Sequence, residues 1–257
     1  MKLVLIKCGG SVLEKLQDEF FASIHSLQQQ GYQCIFVHGG GPNITKALEA
    51  YNVQSEFVNG LRKTTADTFH VVESVLSGQT NRKLVSQLTK HGFQAIGING
   101  SDANLLQADF INKEELGYVG EITNVEPKII KLLLHEGYLP VVTPIAVTKN
   151  GTKLNVNADY AAAAVAHAMN VDECIFVTNV QGVLVNGKTV PVIGRKQIND
   201  YIRDGIIYGG MIPKLTSALS ILEKGLQCVT IVSGKMAIYE NGNWNGTKIM
   251  EREKVFM

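Results

Sequence analysis

Lys2-Leu3-Val4-Leu5-Ile6-Lys7-Cys8-Gly9-Gly10-Ser11 opens the chain with an apolar run that ends in a lysine and a pair of glycines. The run is too short for the hydrophobic segment of a secretion signal and no small-residue cleavage site follows it, so it reads as a buried strand. Beyond the glycines, Phe20, Ile24 and Leu27 recur at i, i+4 and i+7, the period of a helix with one apolar face. Gly31 suits the position just past that helix. The same unit then returns. Cys34 to Val37 is a strand, Gly39-Gly40-Gly41 is its turn, and a helix follows with Pro42 near its first position and Ile44, Leu48 and Tyr51 on one side.

Working outward, strand and helix signals alternate to the end of the chain. Helices are predicted over 66–76, 81–91, 127–137, 159–169, 196–203 and 211–224. Further strands are predicted over 95–98, 139–143, 173–178 and 228–233, with an irregular hairpin over 107–123. Asn150-Gly151 and Asn186-Gly187 are two-residue hairpin signals. Such alternation predicts an α/β fold with a mostly parallel sheet and helices on both faces. Two lobes sharing one continuous sheet are expected rather than two separable domains.

Bulk composition excludes several classes. With 257 residues, a net charge of +1, 45% hydrophobic and 18% charged residues, the chain is an ordinary globular enzyme in character, without the basic block of a nucleic-acid binder. No apolar run approaches the roughly 20 residues needed to cross a bilayer. Cys8, Cys34, Cys174 and Cys228 each lie in or beside an apolar run without metal-type spacing, as expected of reduced, mostly buried thiols in a cytosolic protein.

One motif matches formally and is rejected. Gly182 to Thr189 reads GVLVNGKT, which satisfies the P-loop pattern. A working P-loop opens a helix at its Lys-Thr pair. Here Asn186-Gly187 is a turn, and Val190-Pro191-Val192-Ile193 opposes a continuing helix, so a β-hairpin is predicted. The Gly39 to Ile44 turn likewise fails the dinucleotide fingerprint, lacking its last glycine and the ribose-reading acid.

Four features carry chemistry. Lys7, at the end of a strand before Gly9-Gly10-Ser11, lies where open α/β sheets bind ligands, though an edge lysine reaching solvent has the same pattern. His38-Gly39-Gly40-Gly41-Pro42-Asn43 offers backbone N–H groups just before a helix N-terminus, a setting for phosphate or carboxylate. His38 itself reads as a structural hydrogen-bonder. Asn155-Val156-Asn157-Ala158-Asp159 precedes an alanine-rich helix. There Asp159 is either its N-cap or a group that orients substrate and a lysine. Gly209-Gly210-Met211-Ile212-Pro213-Lys214 puts a lysine in the first turn of a helix, against the dipole. That placement points to a bound anion, with Asp159 as a natural partner. Together these groups suit phosphoryl transfer. A carboxylate acceptor fits, because it is ionised at neutral pH and needs no general base.

The motifs KCGGS, VHGGGPN, NGLRKTTAD, LNVNAD and GGMIPK, in this order along the whole chain, resemble those of the acetylglutamate kinases of the amino-acid kinase family. The resemblance implies a three-layer α/β/α sandwich with a mostly parallel central sheet. It implies a single kinase domain over residues 1–257, with a substrate lobe of about 1–172 and a nucleotide lobe of about 173–257. It further implies a cytoplasmic homodimer that uses ATP and Mg2+ to phosphorylate the γ-carboxylate of N-acetyl-L-glutamate in arginine biosynthesis.

By position, Lys7 and Lys214 match the phosphoryl-stabilising lysines, Asp159 the aspartate that organises them, and Gly10 a glycine donating to the transition state. Gly40 and Gly41 match the substrate-binding pair. Arg62 matches the arginine that holds the α-carboxylate, and Asn155 the asparagine on the acylated amino acid. The nucleotide is expected near Thr178, Asn179 and Gly182 and near Ile206, Ile207, Tyr208 and Gly210, with no residue assigned to a metal. Asn179 and Gly209 stand where relatives often carry Asp. Since the first strand begins at about Lys2, without the N-terminal helix of arginine-inhibited relatives, an arginine-insensitive dimer is expected. Sibling kinases acting on aminoadipate, aspartate, glutamate or carbamate, or a silent amino-acid sensor, are the rival readings.

Overall fold

The computed structural model describes residues 2–185, 187–223 and 225–251. Asn186 of the second Asn-Gly turn, Lys224 at the expected end of the last helix, and the side chain of Pro213 lie outside the described residues. The chain order is β1 (Lys2–Cys8), α1 (Asp18–Gln29), β2 (Tyr32–His38), α2 (Gly41–Ala50), α3 (Ala66–Glu73), α4 (Asn81–Lys90), β3 (Ala95–Asn99), β4 (Leu106–Phe110), β5 (Gly120–Val125), α5 (Lys128–His135), β6 (Leu139–Thr143), β7 (Ile145–Val147), β8 (Lys153–Asn155), α6 (Ala158–Met169), β9 (Glu173–Thr178), β10 (Val192–Gly194), α7 (Arg195–Arg203), α8 (Met211–Glu223), β11 (Cys228–Ser233) and β12 (Gly246–Met250).

Eight strands form the central sheet in the order β10-β12-β11-β9-β1-β2-β6-β3. From β11 to β3 all pairings are parallel, while β12 runs antiparallel to β11 and carries β10 with it. β1 is central because it is apolar on both sides: Val4, Leu5 and Ile6 are wholly buried. Its period of two sorts these residues onto opposite faces. Val4, Ile6 and Cys8 pack with Phe20, Ile24 and Leu27 of α1 and Leu84 and Leu88 of α4. Leu5, with Ile35, Val37 and Phe176, packs with the alanines of α6 and with Leu215, Ala218 and Leu222 of α8. Lys7 continues the series of Leu5, so the pleat turns it toward α6 and α8. These helix layers on the two faces make the expected α/β/α sandwich.

The chain departs from β1 in both directions, to β2 on one side and β9 on the other. The carboxyl ends of these strands form the crevice in which open sheets bind ligands. Two glycine turns meet there. The N–H of Gly39 donates to Cys8 O at 2.9 Å and that of Gly9 to Val177 O at 3.2 Å. A Cβ on Gly10 would lie 2.9 Å from Gly40 N and Cα, and a Cβ on Gly40 would lie 2.6 Å from Leu76 Cδ2. The crowding explains why side chains are absent at both positions.

One expectation is corrected. Helices 66–76 and 81–91 are not separated by a loop: α3 and α4 are joined through a π-helical segment, Ser74–Thr80. With Ser77-Gly78 and no proline at the break, the backbone keeps its hydrogen bonds by widening the turn. The irregular hairpin expected over 107–123 is present as β4 against β5, with a bulge at Gln107/Ala108 and a short helix, Lys113–Leu116, across its tip. It belongs to a second sheet, β8-β7-β4-β5. Leu184–Val185 and Lys188–Thr189 pair antiparallel, so the P-loop look-alike is a hairpin.

Gly10→Ala should lower stability by about 1–3 kcal/mol, since the new methyl has only rigid backbone to displace. Gly41→Ala, where a Cβ meets nothing within 4 Å, should be neutral or stabilising by up to about 1 kcal/mol. Urea unfolding of both variants checks the contrast, and equal effects would contradict the close approach of the two turns.

Candidate active site

A cavity of about 350 Å³ opens at this crevice, and Lys7, Gly10, Gly40, Gly41, Arg62, Asn155, Asn157 and Asp159 all face it. Lys7 Nζ lies 2.6 Å from Asp159 Oδ1 and 5.4 Å from the centre of the Phe176 ring. The pairing is an ion contact, without hydrogen-bond alignment at Oδ1. The other carboxylate oxygen, Oδ2, accepts from Ser217 Oγ of α8 at 2.9 Å. Asp159 is not the cap of its helix. Asn157 is, its Oδ1 accepting from the Asp159 N–H at 2.8 Å. The cap function thus falls on Asn157, and the Asp159 carboxylate is left for Lys7.

Arg62 sits on the hairpin Phe57–Val58/Leu61–Arg62, whose turn is Asn59-Gly60, both at positive φ. Its guanidinium is buried, with 7% of the residue exposed. It donates to Gly41 O at 3.1 Å and to Thr45 Oγ1 at 2.9 Å, and also to Ser55 Oγ. The Phe57 ring covers it at 4.6 Å. All three acceptors are neutral, and among the described residues no carboxylate pairs with this cation. Burial accordingly pulls its pKa below the usual arginine value. Asn155 is oriented by donating to Thr64 Oγ1 at 3.1 Å, and Thr64 in turn donates to Arg62 O at 2.8 Å. The charged groups lining the cavity are Lys7, Arg62 and Asp159, an excess of one positive charge beside the N-terminus of α2. The cavity therefore favours an acidic ligand.

Lys214 lies outside this lining. Its Nζ donates to Asn179 Oδ1 at 2.8 Å, and burial lowers its pKa. The expected contact with Asp159 is replaced by this one. Asn179 follows β9, the neighbour of β1, and Ser217, three residues beyond Lys214 on α8, joins Asp159. Lys214 is thus tied to the Lys7 end of the sheet through two short links. Asn179 holds it without neutralising it, as an aspartate there would.

A second cavity, of about 510 Å³, is lined by Gly182, Ile206, Ile207 and Tyr208, with Val180, Leu184, Gly187, Gly205 and Met211. Of the residues expected at the nucleotide, Thr178, Asn179 and Gly210 fall outside its lining. Thr178 spends its hydroxyl on the turn after β9, accepting from the Val180 N–H at 3.2 Å. Tyr208 is 77% exposed, an aromatic face open to a planar ligand.

His38 is wholly buried. Nδ1 donates to Gly39 O at 3.2 Å, while Nε2 accepts from Asn81 Nδ2 and Thr143 Oγ1, each at 3.2 Å. Burial lowers its pKa to about 4, so it is a neutral brace for the glycine turn. The thiols of Cys8 and Cys34 are pushed by burial up to about 12 and supply no nucleophile. Among the described residues no group of three His, Cys, Asp or Glu side chains could cage a metal ion, and no helix is long and apolar enough to cross a membrane.

Sequence reasoning missed Ser217, Ser55 and Thr45. Each is a hydroxyl residue whose partner lies away from it in sequence, and a hydroxyl leaves no periodic signal.

Comparison with known proteins agrees with this geometry. The model of the amino acid kinase family matches residues 2–233. The chain belongs to the amino acid kinase family. The acetylglutamate kinase of Geobacillus stearothermophilus is 48% identical over 256 residues, spanning 100% of this chain and 99% of the relative. That of Bacillus pumilus (strain SAFR-032) is 43% identical over 256 residues, with the same coverage. The crystal structure of smu.665 from Streptococcus mutans UA159 superposes with a TM-score of 0.84 at 33% identity, covering 97% of this chain and 99% of that one.

The His38 brace makes stability depend on pH. The unfolded chain takes up a proton near pH 6.5, whereas the folded one resists it down to about 4. The contribution is therefore complete above 6.5 and drains away as the pH falls toward 4, by roughly 3 kcal/mol in all. Urea unfolding from pH 7.5 to 4 should show the stability gap between wild type and His38→Gln narrowing by that amount. A gap that stays constant would contradict the buried neutral imidazole.

Proposed function

We propose that this chain transfers the γ-phosphoryl group of ATP to the γ-carboxylate of N-acetyl-L-glutamate, giving ADP and the acyl phosphate, a step in arginine biosynthesis. One observation carries the reading: a buried guanidinium with no carboxylate partner among the described residues, Arg62, shares a cavity with the Lys7 ammonium at the end of the central strand. A substrate with two carboxylates fits that pair of cations, one to be held and one to react. The acetylglutamate kinases to which the chain is similar act on such a molecule by name.

In this reading Arg62 takes the α-carboxylate through its forked N–H groups. Asn155 and the Gly40-Gly41 backbone orient the acylated amino acid. The γ-carboxylate oxygen attacks Pγ in line as the bond from Pγ to the β,γ-bridging oxygen breaks, and no proton has to be removed. Lys7, the Gly10 N–H and Lys214 spread the charge on the transferring group, and Asp159 keeps Lys7 in place. The nucleotide occupies the cavity at Gly182 and Ile206 to Tyr208, so that residues of about 1–172 serve the acceptor and about 173–257 the donor. Asp159 is already engaged with Lys7 and Ser217, so no side chain of this cavity is assigned to magnesium, which would come with the nucleotide and supply further positive charge at the transferring group. The acting species is a cytoplasmic homodimer.

An ATP-dependent hydroxamate assay over acidic amino acids, free and N-acetylated, aminoadipate included, should respond to N-acetyl-L-glutamate above the rest. Response to another acceptor alone would defeat the assignment. Lys7→Ala and Lys214→Ala should each lower kcat by at least about 100-fold with KM changed only a few-fold. Arg62→Ala should instead raise the acceptor KM by about 10–100-fold, the cost of one charge-assisted pair. Unchanged turnover in either lysine variant, or an unchanged KM for Arg62→Ala, would remove that residue from its role.

A further inference from the structure

The contact that the proposed chemistry leaves unexplained is the hydroxyl of Ser217 on the outer oxygen of Asp159. Three hydroxyl residues stand close together on α8. Thr216 donates back to Ile212 O at 3.0 Å and Ser220 to Ser217 O at 2.8 Å, the local bonds that such residues ordinarily make within a helix. Ser217 alone of the three donates to another helix, to Asp159 Oδ2 at 2.9 Å. The carboxylate it meets is only 21% exposed, and its other oxygen faces Lys7, itself 13% exposed, at 2.6 Å.

We propose that Ser217 is a positioning residue for phosphoryl transfer, fixing the Asp159 carboxylate toward Lys7 and fixing the helix that bears Lys214 to that pair. The inference rests on the function proposed above and adds to it the device that sets the spacing of the two lysines. A carboxylate held at one oxygen only can swing about its Cβ–Cγ bond, and Oδ1 then leaves Lys7. A hydrogen bond at Oδ2 removes that freedom.

The second effect follows from helix geometry. Residues three apart lie on one side of a helix, so the hydroxyl that reaches Asp159 and the ammonium that reaches Asn179 project from α8 in similar directions. With Ser217 engaged, α8 has one register against α6, and Lys214 one distance from Lys7. Neither effect touches the groups that hold the acceptor, since Arg62 and Asn155 take their partners from Ser55, Thr45, Gly41 and Thr64.

The test is steady-state kinetics of the full chain with ATP and the acceptor identified by the hydroxamate panel. Ser217→Ala should lower kcat about tenfold and leave both KM values within about twofold. Ser217→Thr, which keeps a hydroxyl, should recover kcat to within about threefold of wild type. Wild-type kcat in Ser217→Ala overturns the inference. So does a Thr variant no better than the Ala variant, or a loss that follows the folded fraction in thermal unfolding. Lys7→Ala and Lys214→Ala measured alongside separate the two levels. If they keep full turnover, the phosphoryl-transfer reading falls and takes this inference with it. If they lose turnover and Ser217→Ala does not, the role of Ser217 alone is refuted.

Discussion

A lysine ammonium and an aspartate carboxylate meet at the end of the central strand, and the rest of the molecule is arranged around that meeting. Placing Lys7 among apolar neighbours demands a strand buried on both faces, which only a sheet covered by helices on each side supplies. Placing Asp159 against it demands a helix close to that sheet, and the small side chains of Ala161, Ala162 and Ala166 allow the approach. The charge on each group is tolerable in so dry a setting because the other is there. Asn157 takes over the capping of α6 and frees Asp159 for the pair.

Around the ion pair, the backbone provides what side chains cannot. A Cβ on Gly10 would meet the backbone of Gly40 and one on Gly40 would meet Leu76, and the two turns together line one cavity. His38 secures the second turn from beneath as a neutral imidazole, bound to Gly39 on one side and to Asn81 and Thr143 on the other. The cavity is left with Arg62 buried among the neutral oxygens of Gly41, Thr45 and Ser55, with no carboxylate beside it among the described residues.

Much of this was legible in the residues themselves. Uninterrupted apolar runs gave the buried strands, a period of 3.6 gave the helices, and glycines at strand ends located the crevice. The hairpin at Leu184 to Thr189 could be told from a P-loop by the β-branched residues around it. Asn150-Gly151 marked the hairpin of Ile145–Val147 and Lys153–Asn155, but its joining with the other hairpin into one second sheet runs through a contact between Gln107 and Val147 that leaves no local signal. The partner of Lys214 was misjudged because a first-turn lysine announces a need for negative charge without saying which group meets it, and here a neutral amide does. Ser217 was invisible for a similar reason: a serine in the middle of a helix looks the same whether it bonds its own backbone or another helix.

The placement of the two cations on very different supports has a kinetic meaning. Lys7 belongs to a strand paired along its length with β2 and β9, so its amides can exchange with solvent only through large, rare openings of the whole sheet. Arg62 belongs to a ladder of two residues on each side, which can break and re-form cheaply at the rim. The rim that carries Arg62 can therefore breathe often, while the strand that carries Lys7 stays still.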